Sequence, residues 1–413
     1  MKENSRLTIK NDSSQFFHTF SWIIIPIILL TGVIGVFNKN NGKTNLYTYQ
    51  AEAFLQGNFA IQEKANKLPG ETIEYEGKLY SPFPPFPAIV LTPFVAIFGK
   101  DGIKIYWISF TMAVLTSLIV YRTLRGVGID ISTTSWVLAG FVLGTGYWQV
   151  FRASEWVWLF AQLTAVLCTF LAIYEAINTG RGWLSGLFAG LAFLSRQLSI
   201  YSVIFIPLFL WKNPKSKYQY INIISFFLGV GLCVLLYLGF NYYRFNSIGS
   251  GYDALNYETF GGSENILGER TNQYGIFSPA YFIFNFVYMF LQGYHIEFGS
   301  VNMLAFSGLD KFGTSLLAAS PFVIAAFRAK GEKVTLFCTW AGVVLPLIHA
   351  LFYHNNGYIQ YNMQRFSLDF MPILIILIAK GFSNSSPDLQ SYWKGMIIYS
   401  IVLNVITNLL PFN

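Results

Sequence analysis

Long apolar runs separated by short polar turns dominate this chain. A helix needs about 20 apolar residues to cross a bilayer. Runs near that length occupy 16–37, 103–122, 133–150, 156–178, 219–243, 312–327, 334–354, 366–380 and 392–411, and each predicts a spanning helix. Three further stretches depart from the pattern. Phe83–Phe98 is apolar but short, with Pro82, Pro84, Pro85, Pro87 and Pro93 in or beside it. Proline removes backbone donors, and unsatisfied backbone cannot face lipid, so a re-entrant or interface-lying segment is expected there. Trp183–Trp211 carries Arg196 at its middle and basic residues at both ends. A single straight helix would bury that arginine at the bilayer centre, at a cost of several kcal/mol. Two short helices meeting near Arg196 remove the conflict. Ile276–Tyr294 reads as an external interfacial helix or a partial hairpin.

These choices predict an all-α polytopic membrane protein with about 11 transmembrane helices, and external interfacial helices after the first span. The N-terminus falls inside and the C-terminus outside. Under this topology the cytoplasmic turns are net positive and the external segments nearly neutral, as the positive-inside rule requires. Crossing at 83–98 would instead put Arg122 and Arg125 outside. The first run follows Lys2, Arg6 and Lys10 and has no small-residue cleavage site after it, so it reads as a retained span. The whole of 1–413 is taken as one transmembrane domain. Residues 38–101 form its first external loop and 246–311 its second, the latter with an interfacial helix.

Composition agrees. Hydrophobic residues make up 54% and charged residues 11% of the 413 positions, against about 25% charged in soluble domains. The net charge of +7 comes without a dense Lys/Arg block, which excludes a nucleic-acid surface. Cys168, Cys233 and Cys338 lie inside apolar runs and read as packing residues. His349 and His354 are spaced wrongly for a helical zinc pair. No cofactor is assigned: a divalent cation is left open, with no ligand motif to hold it. The larger polar loops are external, so chemistry is expected on that face.

The candidate residues gather in a few segments. Tyr47-Thr-Tyr-Gln-Ala-Glu52-Ala-Phe-Leu-Gln-Gly57 predicts an amphipathic surface helix with Ala51, Phe54 and Leu55 on one face and Gly57 as its stop. Glu52 on it is either a solvated charge or a general base. Glu76-Gly-Lys78-Leu-Tyr80 precedes the proline cluster, which fixes a rigid turn; Lys78 is placed to meet a phosphate headgroup. Arg196, in Gly190-Leu-Ala-Phe-Leu-Ser-Arg196, is a functional residue by its depth, with a buried pair to Glu155 as the alternative. Arg244 lies in Asn241-Tyr-Tyr-Arg244, ahead of Gly251-Tyr252-Asp253, and Gln364-Arg365 opens Gln364–Pro372. Each arginine alone suits a snorkelling anchor. Three of them on one face, among Tyr, Gln and Asn, suit an anionic ligand that carries a sugar. Gly182, Gly186 and Gly190 form a small-residue packing face.

Taken in order, these segments resemble the GT-C class of membrane glycosyltransferases, which includes protein O-mannosyltransferases and lipid A aminoarabinose transferases. The likeness runs over roughly 15–385, through Ala51–Gly57, Tyr75–Tyr80, Phe83–Ala88, Gly144–Trp148, Gly190–Arg196, Asn241–Tyr252 and Gln364–Pro372. It implies a donor sugar on a polyprenyl phosphate and transfer on the external face of the plasma or inner membrane, with inversion, to a lipid, glycan or protein acceptor. An acid of the first loop would serve as base and basic residues would hold the phosphate. Such proteins commonly carry an acid just after the first span. Here that stretch reads Asn38-Lys-Asn-Asn-Gly-Lys-Thr-Asn-Leu46, which leaves Glu52 as the nearest carboxylate. The resemblance therefore assigns Glu52 as catalytic residue. It assigns Lys78, Tyr80, Arg196, Arg244, Tyr252, Asp253, Gln364 and Arg365 to substrate. Two other functions fit the same architecture: a lipid-linked glycan polymerase or ligase, and a non-enzymatic lipid-sugar carrier or flippase.

Overall fold

The computed structural model describes residues 45–64, 68, 72–212, 218–251, 266–310, 312–357 and 364–409. The expected span 16–37 and the candidates Tyr252 and Asp253 lie outside the described residues. Helix α1 (Leu46–Leu55) starts at Asn45, whose side chain accepts from the Tyr47 amide, and ends before Gly57 at φ +72°. Strands β1 (Ile73–Tyr75) and β2 (Lys78–Tyr80) pair as a hairpin. Its turn residues, Glu76 and Gly77, both have positive φ, as the twist of a two-residue hairpin demands. The hairpin was not expected, and it stands just before the proline cluster. Helix α2 (Phe86–Phe98) follows with Pro93 inside it. At 13 residues it is too short to cross a bilayer about 30 Å thick.

Helix α3 (Ile105–Gly126) is long and apolar. The expected 133–150 helix is broken into α4 (Ile131–Gly144) and α5 (Gly146–Arg152) at Thr145, which adopts extended backbone and caps α5. Freed carbonyls in an apolar interior need partners. Asn404 Nδ2 donates to Leu143 O at 2.6 Å, and Ser320 Oγ to Gly144 O at 2.6 Å. Helix α6 (Val157–Tyr174) continues as a π turn to Thr179. Helix α7 (Gly182–Phe193) ends just before Arg196, whose backbone is extended; a 3-10 stretch over Gln197–Ile204 and α8 (Ile206–Lys212) follow. The two short helical pieces expected around Arg196 are therefore present.

Helix α9 (Gln219–Phe245) runs 27 residues and packs along α7. Helix α10 (Ile266–Tyr274) precedes a 3-10 turn at Pro279–Tyr281, α11 (Phe282–Phe286) and a π turn to Leu291. Strands β3 (Ile296–Gly299) and β4 (Ala305–Leu309) then form a second hairpin that hydropathy did not predict. The expected 312–327 span is not one α-helix. It is α12 (Leu316–Ala319), then a 3-10 stretch over Pro321–Arg328, because Pro321 withholds the N–H that would continue the helix. Helix α13 (Lys333–Phe352), a 3-10 turn at Arg365–Asp369, α14 (Met371–Ser383) and α15 (Pro387–Leu409) complete the order. Among the described residues, four helices are long and apolar enough to cross a membrane: α3, α6 with its π turn, α9 and α13.

The α7–α9 contact shows why the glycine stripe matters. A Cβ on Gly182 would overlap the Asn222 carbonyl, and one on Gly186 the Phe226 carbonyl. The helices touch backbone to backbone there, as small residues permit. Gly231, also on α9, has open space within 4 Å. Gly186→Ala is expected to lower the melting temperature in detergent by several degrees. Gly231→Ala should leave it unchanged or slightly raised, since alanine favours helix over glycine by about 1 kcal/mol.

Candidate active site

Around Arg196 the structure gathers side chains from distant parts of the chain. Arg196 forms a two-pronged ion pair with Asp369: Nε bonds Oδ1, and Nη2 bonds Oδ2 at 2.8 Å. Asp369 is only 3% exposed and Arg196 16%. Gln162 of α6 adds a third bond, Nε2 to Asp369 Oδ1 at 2.9 Å. A fork-to-fork pair fixes the plane of the guanidinium as well as its position. The alternative pairing with Glu155 is not adopted: Asp369 is the carboxylate that meets Arg196, because its 3-10 turn faces the break after α7.

Arg365 lies one turn before Asp369. The Phe366 ring meets both cations, its centroid 4.9 Å from the Arg196 guanidinium and 5.4 Å from that of Arg365. Trp158 covers Arg365 at 5.6 Å and stacks on Trp156 at 5.7 Å. Buried Gln364 accepts from the Phe366 amide at 3.1 Å and donates to Asn356 O at 3.3 Å.

Arg244 stands at the other end of the proline-rich segment. It donates to the Ser81 carbonyl and, at 2.7 Å, to Asn241 Oδ1, with the Phe240 and Phe245 rings 3.7 and 4.5 Å away. Tyr80 packs on Phe245 at 5.4 Å. The segment is tied to the Arg196 side as well: the Phe86 amide donates to Leu194 O at 3.1 Å, and Gln197 reaches Tyr237 of α9. Tyr47 of α1 closes the wall against Phe83 and Phe160.

Not every expected residue joins this group. Lys78 is exposed on its hairpin. Glu52 pairs with Lys100 at 3.4 Å and is 35% exposed. Burial works against the Lys100 charge, yet Glu52 and Asp101 outweigh it and hold the Lys100 pKa above the ordinary value. The apolar face expected on α1 is also different: the helix is buried nearly all round from Leu46 to Ala51, while Leu55 is exposed and Glu52 only partly buried. The backbone of a second acid, Glu155, meets the start of α1. Glu155 is half-buried, and Asn45 Nδ2 donates to its carbonyl at 3.0 Å. Burial raises the Glu155 pKa and Lys104 opposes that shift. Among the described residues no group of three or more His, Cys, Asp or Glu gathers to hold a metal ion.

Sequence reasoning passed over Asp369, Gln162, Trp158 and Asn356. Asp369 could have been found: it is an acid at the edge of the apolar run 366–380, and such a group needs a cation.

Comparison with known proteins bears on much of this site. Residues 83–241 match the family model for dolichyl-phosphate-mannose-protein mannosyltransferases, a GT-C class glycosyltransferase domain. No curated protein and no solved structure matches the chain significantly. The matched GT-C segment contains the proline-rich segment, Trp158, Gln162 and Arg196, and stops just short of Arg244. The match covers less than half of the chain; with the apolar helices it makes the chain similar to membrane-bound glycosyltransferases.

Breaking a buried pair from one side leaves an uncompensated charge, at about 3–5 kcal/mol, whereas removing both charges is often neutral. Asp369→Leu alone should therefore lower the melting temperature sharply. The Arg196→Met/Asp369→Leu double variant should recover most of that stability and still lack transferase activity. Full activity in the double variant would remove the pair from the site.

Proposed function

We propose that this protein transfers a sugar from a polyprenyl-phosphate donor to an acceptor on the external face of the membrane, with inversion at the anomeric carbon. The observation that carries the reading is the gathering of Arg196 and Arg365 about Phe366, with Arg244 at the far end of the proline-rich segment. In the transfer, a carboxylate takes the proton of the acceptor hydroxyl as its oxygen attacks the anomeric carbon. The bond from that carbon to the phosphate oxygen breaks, and polyprenyl phosphate leaves with the electron pair. Guanidinium groups held in place before reaction stabilise the charge that grows on the leaving oxygen, an effect that commonly contributes more to rate than any other. Lys78, Tyr80, Tyr252, Asp253 and Gln364 complete the substrate contacts in this reading.

Glu52 is proposed as the base. A second reading is favoured by one observation: burial raises the pKa of Glu155, at the α1 start, toward the range a general base needs. Transfer of labelled sugar from polyprenyl-phosphate donors by the purified protein separates the two. Glu52→Gln is expected to reduce the rate by about 10²–10⁴, the usual contribution of acid–base catalysis, with donor binding retained. Full activity in Glu52→Gln with loss in Glu155→Gln would move the role to Glu155. Donors bearing one sugar against oligosaccharide units distinguish a transferase from a polymerase. Movement of labelled donor across vesicles without transfer would favour a carrier.

A further inference from the structure

A groove of about 690 Å³ runs between the α12 segment and α15, and it shares no residue with the site around Arg196. Leu317, Ala318 and Pro321 form one wall, and Tyr392, Gly395 and Tyr399 belong to the other. Asp388 stands at the start of α15. Positions 388, 392, 395 and 399 follow helical spacing, so they fall in one line along α15. From Asp388 to Tyr399 that line is about 16 Å long at the helical rise. Glycine in a helix interior is less stable than alanine, and a Cβ on Gly395 would meet nothing within 4 Å. Close packing against another element therefore does not explain this glycine. Its missing side chain instead deepens the groove that the small Ala318 also lines. Asp388 is the charged residue of the lining; it is exposed and has no ion-pair partner among the described residues.

We propose that this groove holds one acyl chain of a phospholipid from the cytoplasmic leaflet, and that the head of that lipid carries an amine that pairs with Asp388. The inference rests on the reading of 392–411 as a span whose start is cytoplasmic. The hydrocarbon core of a bilayer is about 30 Å thick, so the groove matches one leaflet in length. Asp388 then lies at the level of the head groups. Shape favours a chain over a second helix. Tyr392 is 68% exposed and Tyr399 47%, and their rings project before and after Gly395. A helix, about 10 Å across, would be held off by those rings, whereas an acyl chain can bend past them onto the glycine. Charge selects the head. An ammonium group gives Asp388 a charge-assisted hydrogen bond. A head of net negative charge, phosphatidylglycerol or a polyprenyl phosphate, would meet a like charge there.

Native mass spectrometry of the full-length protein tests this, with phosphatidylethanolamine and phosphatidylglycerol of the same chains as probes. Wild type should retain phosphatidylethanolamine that the Gly395→Leu variant, whose groove is filled, does not. It should bind phosphatidylethanolamine about tenfold more tightly than phosphatidylglycerol, the factor that one charge-assisted hydrogen bond supplies. Asp388→Asn should still retain lipid but bind the two heads alike. Gly395→Leu should melt no lower than wild type in detergent, since its side chain enters open space and leucine favours helix. That measurement separates lost binding from lost folding. Equal retention of lipid by wild type and Gly395→Leu would overturn the groove as the site. A phosphatidylethanolamine preference that survives in Asp388→Asn would overturn the head-group assignment. Displacement of the retained lipid by polyprenyl phosphate would overturn the proposal in favour of a polyprenyl tail. A lipid-free wild-type dimer that Gly395→Leu abolishes would overturn it in favour of a second copy.

Discussion

A guanidinium and a carboxylate cannot be placed singly inside an apolar helical body, and the pairing of Arg196 with Asp369 is the constraint from which the site follows. Arg196 belongs to the break after α7, Asp369 to the turn before α14, and Gln162 to α6. These parts are far apart in sequence, and the pair makes each depend on the others. Its geometry also decides what else can gather there. Because Asp369 ends a short 3-10 turn that Arg365 begins, fixing one side chain fixes the approach of the other. The Phe366 ring then meets both cations, and its negative face offers each a favourable contact.

The same logic governs the helix interruptions. Thr145 breaks α4 from α5, Arg196 breaks α7 from the 3-10 stretch, and α13 ends at Phe352. Each would leave carbonyls unsatisfied in an apolar interior. Side chains and amides from elsewhere answer them: Asn404 and Ser320 at the first break, the Phe86 amide at the second, and Asn285 at the third. Irregular backbone is tolerated only where such partners exist. The second and third breaks lie beside the arginines, so the features that interrupt the helices also bring polar chemistry into the body.

Hydropathy made much of this architecture readable. The runs that became α3, α6, α9, α13 and α15 are long and uninterrupted, so length alone located them. The break at Arg196 was readable because a single arginine in an apolar run leaves only a few acceptable geometries. What hydropathy could not show was the break at Thr145, where a neutral residue disturbs no pattern, or the interruption by Pro321, whose effect is local. The β3–β4 hairpin was invisible because its exposed residues, Val301, Met303 and Leu304 among them, are as apolar as a helix. In the site the arginines were legible as scarce charges. Their partner Asp369 stood out less, because an acid near the start of a helix is ordinary. The helical face of α1 was misjudged because counting apolar positions ignored that buried Gln50 and Thr48 would pack inward.

Buried amides give the last link between stability and chemistry. Gln50 and Gln162 each leave the side-chain oxygen, and Asn356 both polar atoms, without a hydrogen-bond partner among the described residues. All three are at most 3% exposed. Threonine hydroxyls such as Thr123 and Thr134 are orphaned too, but a hydroxyl is small and can turn toward its own helix. A planar amide cannot, and its cost persists until something supplies matching groups. Gln162 meets the ion pair, Asn356 follows α13 beside Arg365, and Gln50 faces inward on the helix that carries Tyr47. A fold optimised only for stability would replace such groups with leucine. Two of them, Gln162 and Asn356, lie in segments that also hold Arg196 and Arg365.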